Sequence, residues 1–130
     1  MRILIAEDDL NSRKFLFKFL SQYGDCDLVV DGLEALDAFL ISIKDNRPYD
    51  LICLDIMMPK VDGVKVLKSI RDYEIQKNIT PEKRSKVIMT TALAETQFVQ
   101  NAFDIGCNAY AAKPIDIVKL TQVLQNLELI

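Results

Sequence analysis

Five short apolar runs, each followed by a longer stretch with apolar residues at helical spacing, constrain this chain more than any other feature. Arg2–Ala6 reads as a strand, and Leu10 to about Tyr23 as a helix carrying Phe15, Leu16, Phe19 and Leu20 before Gly24. Cys26–Val30 reads as a second strand. Gly32 to about Lys44 reads as a helix with Leu33, Leu36, Phe39, Leu40 and Ile43 on one face. Asp50–Leu54 is a nearly continuous apolar strand, the pattern of a strand covered on both faces. Asp62-Gly63 opens a third helix with Val66, Leu67, Ile70 and Tyr73. The long stretch Asp72–Lys86 is expected to extend that helix and to turn near Pro81. Lys86–Thr91, Ala94 to about Ile105, Asn108–Ala112 and Ile115 to about Leu127 complete the alternation, with Gly106 closing the fourth helix.

Alternating strands and helices require a parallel sheet covered by helices on both faces. With right-handed crossovers, the expected fold is a doubly wound α/β sandwich of flavodoxin-like (βα)5 type, with strand order 2-1-3-4-5. At 130 residues the chain is expected to be one domain, residues 1–130, and 50% hydrophobic composition supplies its core. A net charge of −3 argues against nucleic acid or an anionic membrane as a direct partner. The absence of histidine excludes histidine-based general bases, histidine-ligated zinc and a phosphohistidine on this chain. Cys26, Cys53 and Cys107 are scattered and odd in number, which argues against a disulfide framework; Cys53 reads as a small buried hydrophobe. No signal peptide or membrane span is visible, so a soluble, cytoplasmic protein is expected.

In such a sheet, ligands bind beyond the carboxyl ends of the strands, at the switch between strands 1 and 3. Glu7, Asp8 and Asp9 follow strand 1, Asp55 to Pro59 follow strand 3, Thr91-Ala92 end strand 4, and Lys113-Pro114 follow strand 5. Asp9 reads as the cap of the first helix. Two carboxylates about 4 Å apart repel by roughly 4 kcal/mol at an effective dielectric near 20, so a cluster stays ionised only around a cation. Oxygen ligands in a shallow site suit Mg²⁺, with Glu7 and Asp8 holding it. Asp55 ends the central strand and is the expected nucleophile. It would form an acyl phosphate while the metal and Lys113 neutralise the phosphoryl oxygens and Thr91 offers a hydroxyl.

ILIAEDD, LDIMMPKVDG, VIMTTA and AYAAKP, in that order, resemble the response regulator receiver domain, the CheY-like family of two-component signalling, over essentially the whole chain. The resemblance implies Asp55 as phosphoacceptor. It implies Asp8 as a direct ligand of Mg²⁺ (or Mn²⁺), Glu7 as a ligand through water, and the Met57 backbone carbonyl as a further ligand. Thr91 matches the switch hydroxyl, Lys113 the phosphoryl-contacting lysine, Pro114 a proline after a cis bond, and Tyr110 the aromatic switch position. Met57 and Leu93 occupy positions whose side chains influence water access in this family. Both are apolar here, so a comparatively long-lived phosphate is expected.

The resemblance implies a sensor histidine kinase or a histidine phosphotransfer protein as phosphodonor. It also implies a downstream effector or a homodimer engaged through helix 4, strand 5 and helix 5. A switch is expected rather than a turnover enzyme. The apolar face of helix 5 (Ile117, Val118, Leu120, Val123, Leu124, Leu127) is expected to pack in the core, while Lys83, Arg84 and Lys86 read as a solvated basic edge. A phosphohydrolase of haloacid-dehalogenase type is disfavoured, because the nucleophile lies mid-chain and no cap domain is present. An FMN module is disfavoured because Glu7-Asp8-Asp9 would repel a phosphate, and a degenerate receiver because the acceptor set is complete. The chain starts at Met1 and stops after helix 5 without a linker, which favours a stand-alone regulator.

Overall fold

The computed structural model of the chain describes residues 1–92 and 97–130. Its elements are β1 (Arg2–Ala6), α1 (Leu10–Leu20), β2 (Asp25–Val29), α2 (Gly32–Lys44), β3 (Leu51–Asp55), α3 (Gly63–Gln76), a 3₁₀ turn (Pro81–Lys83), β4 (Lys86–Thr91), α4 (Val99–Ile105), β5 (Ala109–Ala112) and α5 (Ile117–Asn126). The five strands form one parallel sheet in the order β2-β1-β3-β4-β5, as expected from the alternation.

Strand alternation divides the core into two layers. Leu4, Ile52, Leu54, Val87 and Met89 face α2, α3 and α4, where Phe39, Val66, Leu67, Ile70 and Ala102 are buried. Ile3, Ile5, Leu51, Cys53 and Ile88 face α1 and α5, where Leu16, Phe19, Leu20, Leu120 and Leu124 are buried. Burial pushes the Cys53 thiol up to about 12, so it acts as a small hydrophobe.

Four helices start on an aspartate whose carboxylate accepts a backbone N–H of the first turn: Asp9 from Ser12, Asp31 from Glu34, Asp62 from Lys65 and Asp116 from Val118. Each such cap is worth about 1 kcal/mol. The caps also fix where the helices begin. Asp116 is the cap of α5, so this helix starts at Ile117 and not at Ile115. α1 ends at Leu20 rather than near Tyr23. The chain must turn there, since Gly24 passes so close to Met1 that a Cβ would lie 2.2 Å from the Met1 carbonyl oxygen. β2 accordingly begins one residue earlier than expected, with Asp25 opposite Arg2. α3 does extend through Gln76, and Pro81 opens the following turn. The expected start of the fourth helix at Ala94 lies outside the described residues; the helix there spans Val99–Ile105 and ends at Gly106, whose φ is 131°.

Some apolar positions are not core. Phe15 is exposed on α1, and Ile117 and Val118 are exposed on α5, whose buried side is carried by Leu120 and Leu124. On α2, Leu33 and Leu40 point to solvent with Ile41, and Ala35, Phe39 and Ser42 form the inner face. The apolar arc of these helices is wider than the stripe the sheet can cover.

A buried charged clamp closes the end of the sheet where the strands begin. The Arg71 guanidinium donates to Glu74 Oε1 at 2.6 Å, the Ser85 carbonyl at 2.8 Å, the Gly106 carbonyl at 2.9 Å and Asn108 Oδ1 at 3.0 Å. Glu74 Oε2 accepts the Ser85 N–H, and Asn108 Oδ1 also accepts the Val87 N–H. Asn108 therefore serves as a side-chain bracket, and β5 starts only at Ala109. Glu74→Ala would leave the guanidinium buried without its counter-charge. It is expected to lower the unfolding free energy by about 3–5 kcal/mol in urea denaturation; a loss below ~1 kcal/mol would show that the clamp is dispensable.

Candidate functional site

Sheet register assembles the site. Ala6 lies opposite Leu54, so Glu7, the next residue of the first segment, stands beside Asp55 at the end of β3. Asp55 is paired with Thr90, and Thr91 with Ala112, so Lys113 follows directly along the same edge. The Lys113 N–H donates to the Thr91 carbonyl at 2.7 Å, tying the two strand ends together, and the Lys113-Pro114 bond is cis.

Glu7 and Asp55 are buried and Asp8 is exposed; one carboxylate oxygen from each lies within 4.8 Å of the others. The Lys113 ammonium sits 2.6 Å from Glu7 Oε1 and 3.3 Å from Asp55 Oδ1. Apart from this ion pairing, those two oxygens have no hydrogen-bond partner of good geometry among the described residues. Burial and the neighbouring Glu7 carboxylate push the Asp55 carboxyl up to about 8, against the opposing pull of Lys113. Burial works against the Lys113 charge, but Glu7 and Asp55 more than offset it and raise its pKa. Three carboxylates against one ammonium, all hard oxygen donors and two of them short of partners, fit a divalent cation.

Thr91 is fully buried and donates its hydroxyl to the Ala92 carbonyl at 3.0 Å. Tyr110 points outward, 45% exposed, with its ring edge-to-face on Phe103 at 6.2 Å. Met57 is half exposed, two residues beyond Asp55. Leu93, the other position expected to influence water access, lies outside the described residues. Lys83 is exposed and Lys86 partly so, while Arg84 is half-buried and donates to the Ile79 carbonyl, so the basic edge is less free than expected.

Arg13 and Thr90 were not singled out in the sequence, and Gly63 was read there only as the start of a helix. Arg13, one turn into α1, donates to the backbone carbonyls of Glu7 at 2.9 Å and Asp8 at 3.3 Å, and so holds the acidic turn. Nothing in its sequence setting distinguishes it from a solvated helix arginine. Thr90 buries a hydroxyl that has no hydrogen-bond partner among the described residues, in register with Asp55. Gly63 passes under the end of β3: its N–H donates to the Ile56 carbonyl at 2.7 Å, and a Cβ there would lie 2.0 Å from the Asp55 carbonyl oxygen. Only glycine permits that approach.

Residues 3–125 match the response regulator receiver domain family. A transcriptional regulatory protein of Streptococcus pneumoniae, CiaR, is 33% identical over 98% of this chain and 51% of its own length. Among solved structures, the CheX–CheY complex with BeF3 and Mg²⁺ from Borrelia burgdorferi matches with a TM-score of 0.80. It is 29% identical, covering 98% of this chain and 88% of that one. The receiver domain of Ssk1 from Saccharomyces cerevisiae, crystallised with the histidine phosphotransfer protein Ypd1, matches with a TM-score of 0.78 at 25% identity, covering 96% and 87%. The chain belongs to the response regulator receiver domain family of two-component signalling. It spans about half the length of the first curated relatives it matches. No helix among the described residues is long and apolar enough to cross a membrane.

Proposed function

We propose that Asp55 accepts a phosphoryl group from a phosphohistidine carried by a sensor histidine kinase or a histidine phosphotransfer protein, with residues 1–130 acting as one receiver domain. The observation that carries this reading is the Lys113 ammonium bridging Glu7 and Asp55 in a three-carboxylate crevice. The Ypd1 complex of the similar Ssk1 receiver supports the choice of donor.

An ionised Asp55 oxygen attacks phosphorus, the P–N bond breaks toward the donor imidazole, and an acyl phosphate results. Lys113 neutralises a phosphoryl oxygen. Mg²⁺, or Mn²⁺, held by Asp8, Asp55 and the Met57 carbonyl, with Glu7 reached through water, would supply the further positive charge. The Thr91 hydroxyl, now given to Ala92, would turn to the new group, and Tyr110 would move in behind it. That changes the α4–β5–α5 surface, where an effector or a second copy would bind. The protein then works as a switch and not as a turnover enzyme. A cytoplasmic location goes with this reading, and Cys26, Cys53 and Cys107 are free thiols. The test is incubation with a phosphorylated kinase or phosphotransfer protein and a divalent cation. Uptake approaching one label per chain, released by hydroxylamine, is expected. Turnover of small phosphate esters without retained label would overturn the proposal.

Metal affinity should depend on pH. A cation competes with the proton on Asp55, so affinity is expected to rise up to about tenfold per pH unit toward pH 8 and then level off. Calorimetric titration at several pH values checks this, and a flat profile would remove Asp55 from the metal site. With apolar Met57 and Leu93 unable to orient an attacking water, the phosphorylated form is expected to persist for minutes or longer. Release of inorganic phosphate within seconds would contradict that role.

A further inference from the structure

The outward face of α2 carries an unpartnered feature independent of the phosphorylation site. At 100° per residue, Leu33, Asp37, Leu40, Ile41 and Lys44 fall on one stripe, opposite the buried Ala35, Phe39 and Ser42. Leu33, Leu40 and Ile41 are 49%, 43% and 57% exposed. Three large apolar side chains among five outward positions make a patch rather than scattered singles. Two opposite charges lie along the midline of the stripe, between Leu40 on one edge and Ile41 on the other. Asp37 and Lys44 are both exposed, and among the described residues neither side chain makes an ion pair or hydrogen bond within its own chain. Seven residues separate them, about 10.5 Å along the helix, too far to pair with each other.

We propose that α2 is a self-association surface, on which a second copy of this chain packs its own α2 antiparallel. A two-fold axis passing between Leu40 and Ile41 sets Leu40 against Leu40 of the second copy along one edge of the stripe, and Ile41 against Ile41 along the other. The same axis brings Asp37 opposite Lys44 of the second copy, and Lys44 opposite Asp37, so both charges are paired twice over by one operation. This is the self-complementarity that an isologous contact requires. Near-antiparallel packing at about 20° keeps the two stripes in register over the length of the helix. The surface lies apart from α4, β5 and α5, so the association does not depend on the switch proposed above.

Sedimentation equilibrium of the whole chain, at concentrations up to about 1 mM, tests the proposal. A reversible dimer is expected for the native sequence. Asp37→Lys and Lys44→Asp each convert both ion pairs into like-charge contacts and should weaken the dimer roughly tenfold or more. The double variant restores both pairs, as does a one-to-one mixture of the two single variants, and both should recover dimerisation to within about threefold of the native chain. Ile41→Glu should give a monomer with an unchanged circular dichroism spectrum. A chain that stays monomeric throughout, or a dimer indifferent to the charges at positions 37 and 44, overturns the proposal.

Discussion

Asp55→Asn protein takes up no detectable label from a phosphorylated donor that labels the native chain, an expected loss of at least about 100-fold, since an amide offers no anionic oxygen to phosphorus. The same substitution is expected to stabilise the metal-free fold. In the native chain Asp55 is buried beside Glu7 and its pKa stands near 8, against 3.8 for an ordinary aspartate. Between those values the folded protein holds a proton that the unfolded chain has released. Stability contributed below pH 4 is therefore lost progressively as pH rises toward 8, by at most about 1.4 kcal/mol per unit. Asparagine ionises in neither state. The variant's advantage should thus open above pH 4, grow by at most about 1.4 kcal/mol per pH unit and stop growing above pH 8. A divalent cation should narrow it, because it stabilises only the native carboxylate. Urea titrations across this range, with and without Mg²⁺, measure the gap. Label uptake at the native level would remove Asp55 as acceptor, and a gap that closes with rising pH would contradict the electrostatic account.

Lys113→Met separates two roles of one charge. Methionine preserves most of the aliphatic stem, so the β5 end and its backbone bond to Thr91 can persist. The ammonium that faces Glu7 at 2.6 Å and Asp55 at 3.3 Å is lost. Phosphoryl uptake should slow by about 10²–10³, the usual cost of removing one group that neutralises developing oxygen charge. Divalent-cation affinity should move the other way, rising about tenfold, because the three carboxylates are then left without an ion-pair partner among the described residues. Stopped-flow uptake and calorimetry on one preparation provide both numbers. Opposite changes support the role given to Lys113. An unchanged uptake rate removes it from the reaction, and a parallel fall in both with loss of circular dichroism marks a folding lesion.

Much of the architecture was legible because each layer leaves a periodic trace. DLICL and KVIMTT read as strands covered on both sides; β3 falls one residue later than expected, as Leu51–Asp55 with every residue buried and Asp50 left exposed, and β4 is buried from Val87 to Thr91. The convergence of Glu7, Asp8, Asp55 and Lys113 was legible for a related reason: once the strand order is known, their sequence positions place them at one edge. What escaped depended on contacts between distant segments. Arg13 holds the acidic turn through backbone carbonyls, which no side-chain pattern announces. Arg71, Glu74 and Ser85 each look like ordinary surface polar residues until the fold buries them together, with the exposed Asn108 holding the guanidinium from outside.

The helices mark the boundary between the two kinds of information. The existence and amphipathic character of α1, α2, α3 and α5 follow from 3.6-residue spacing, and their aspartate caps are local as well, although Asp116 was not read as one and α5 was expected two residues early. Which part of each apolar arc is buried does not follow, and Leu33, Leu40, Ile117 and Val118 ended in solvent. That choice belongs to the sheet, whose limited width and close glycine approaches decide how each helix is rotated against it. The amino-acid sequence by itself therefore determined the alternation, the strand order and the acidic strand ends. Only the tertiary structure decided the charge balance around Asp55 and the apolar face left open on α2, because both arise from what long-range packing covers and what it leaves uncovered.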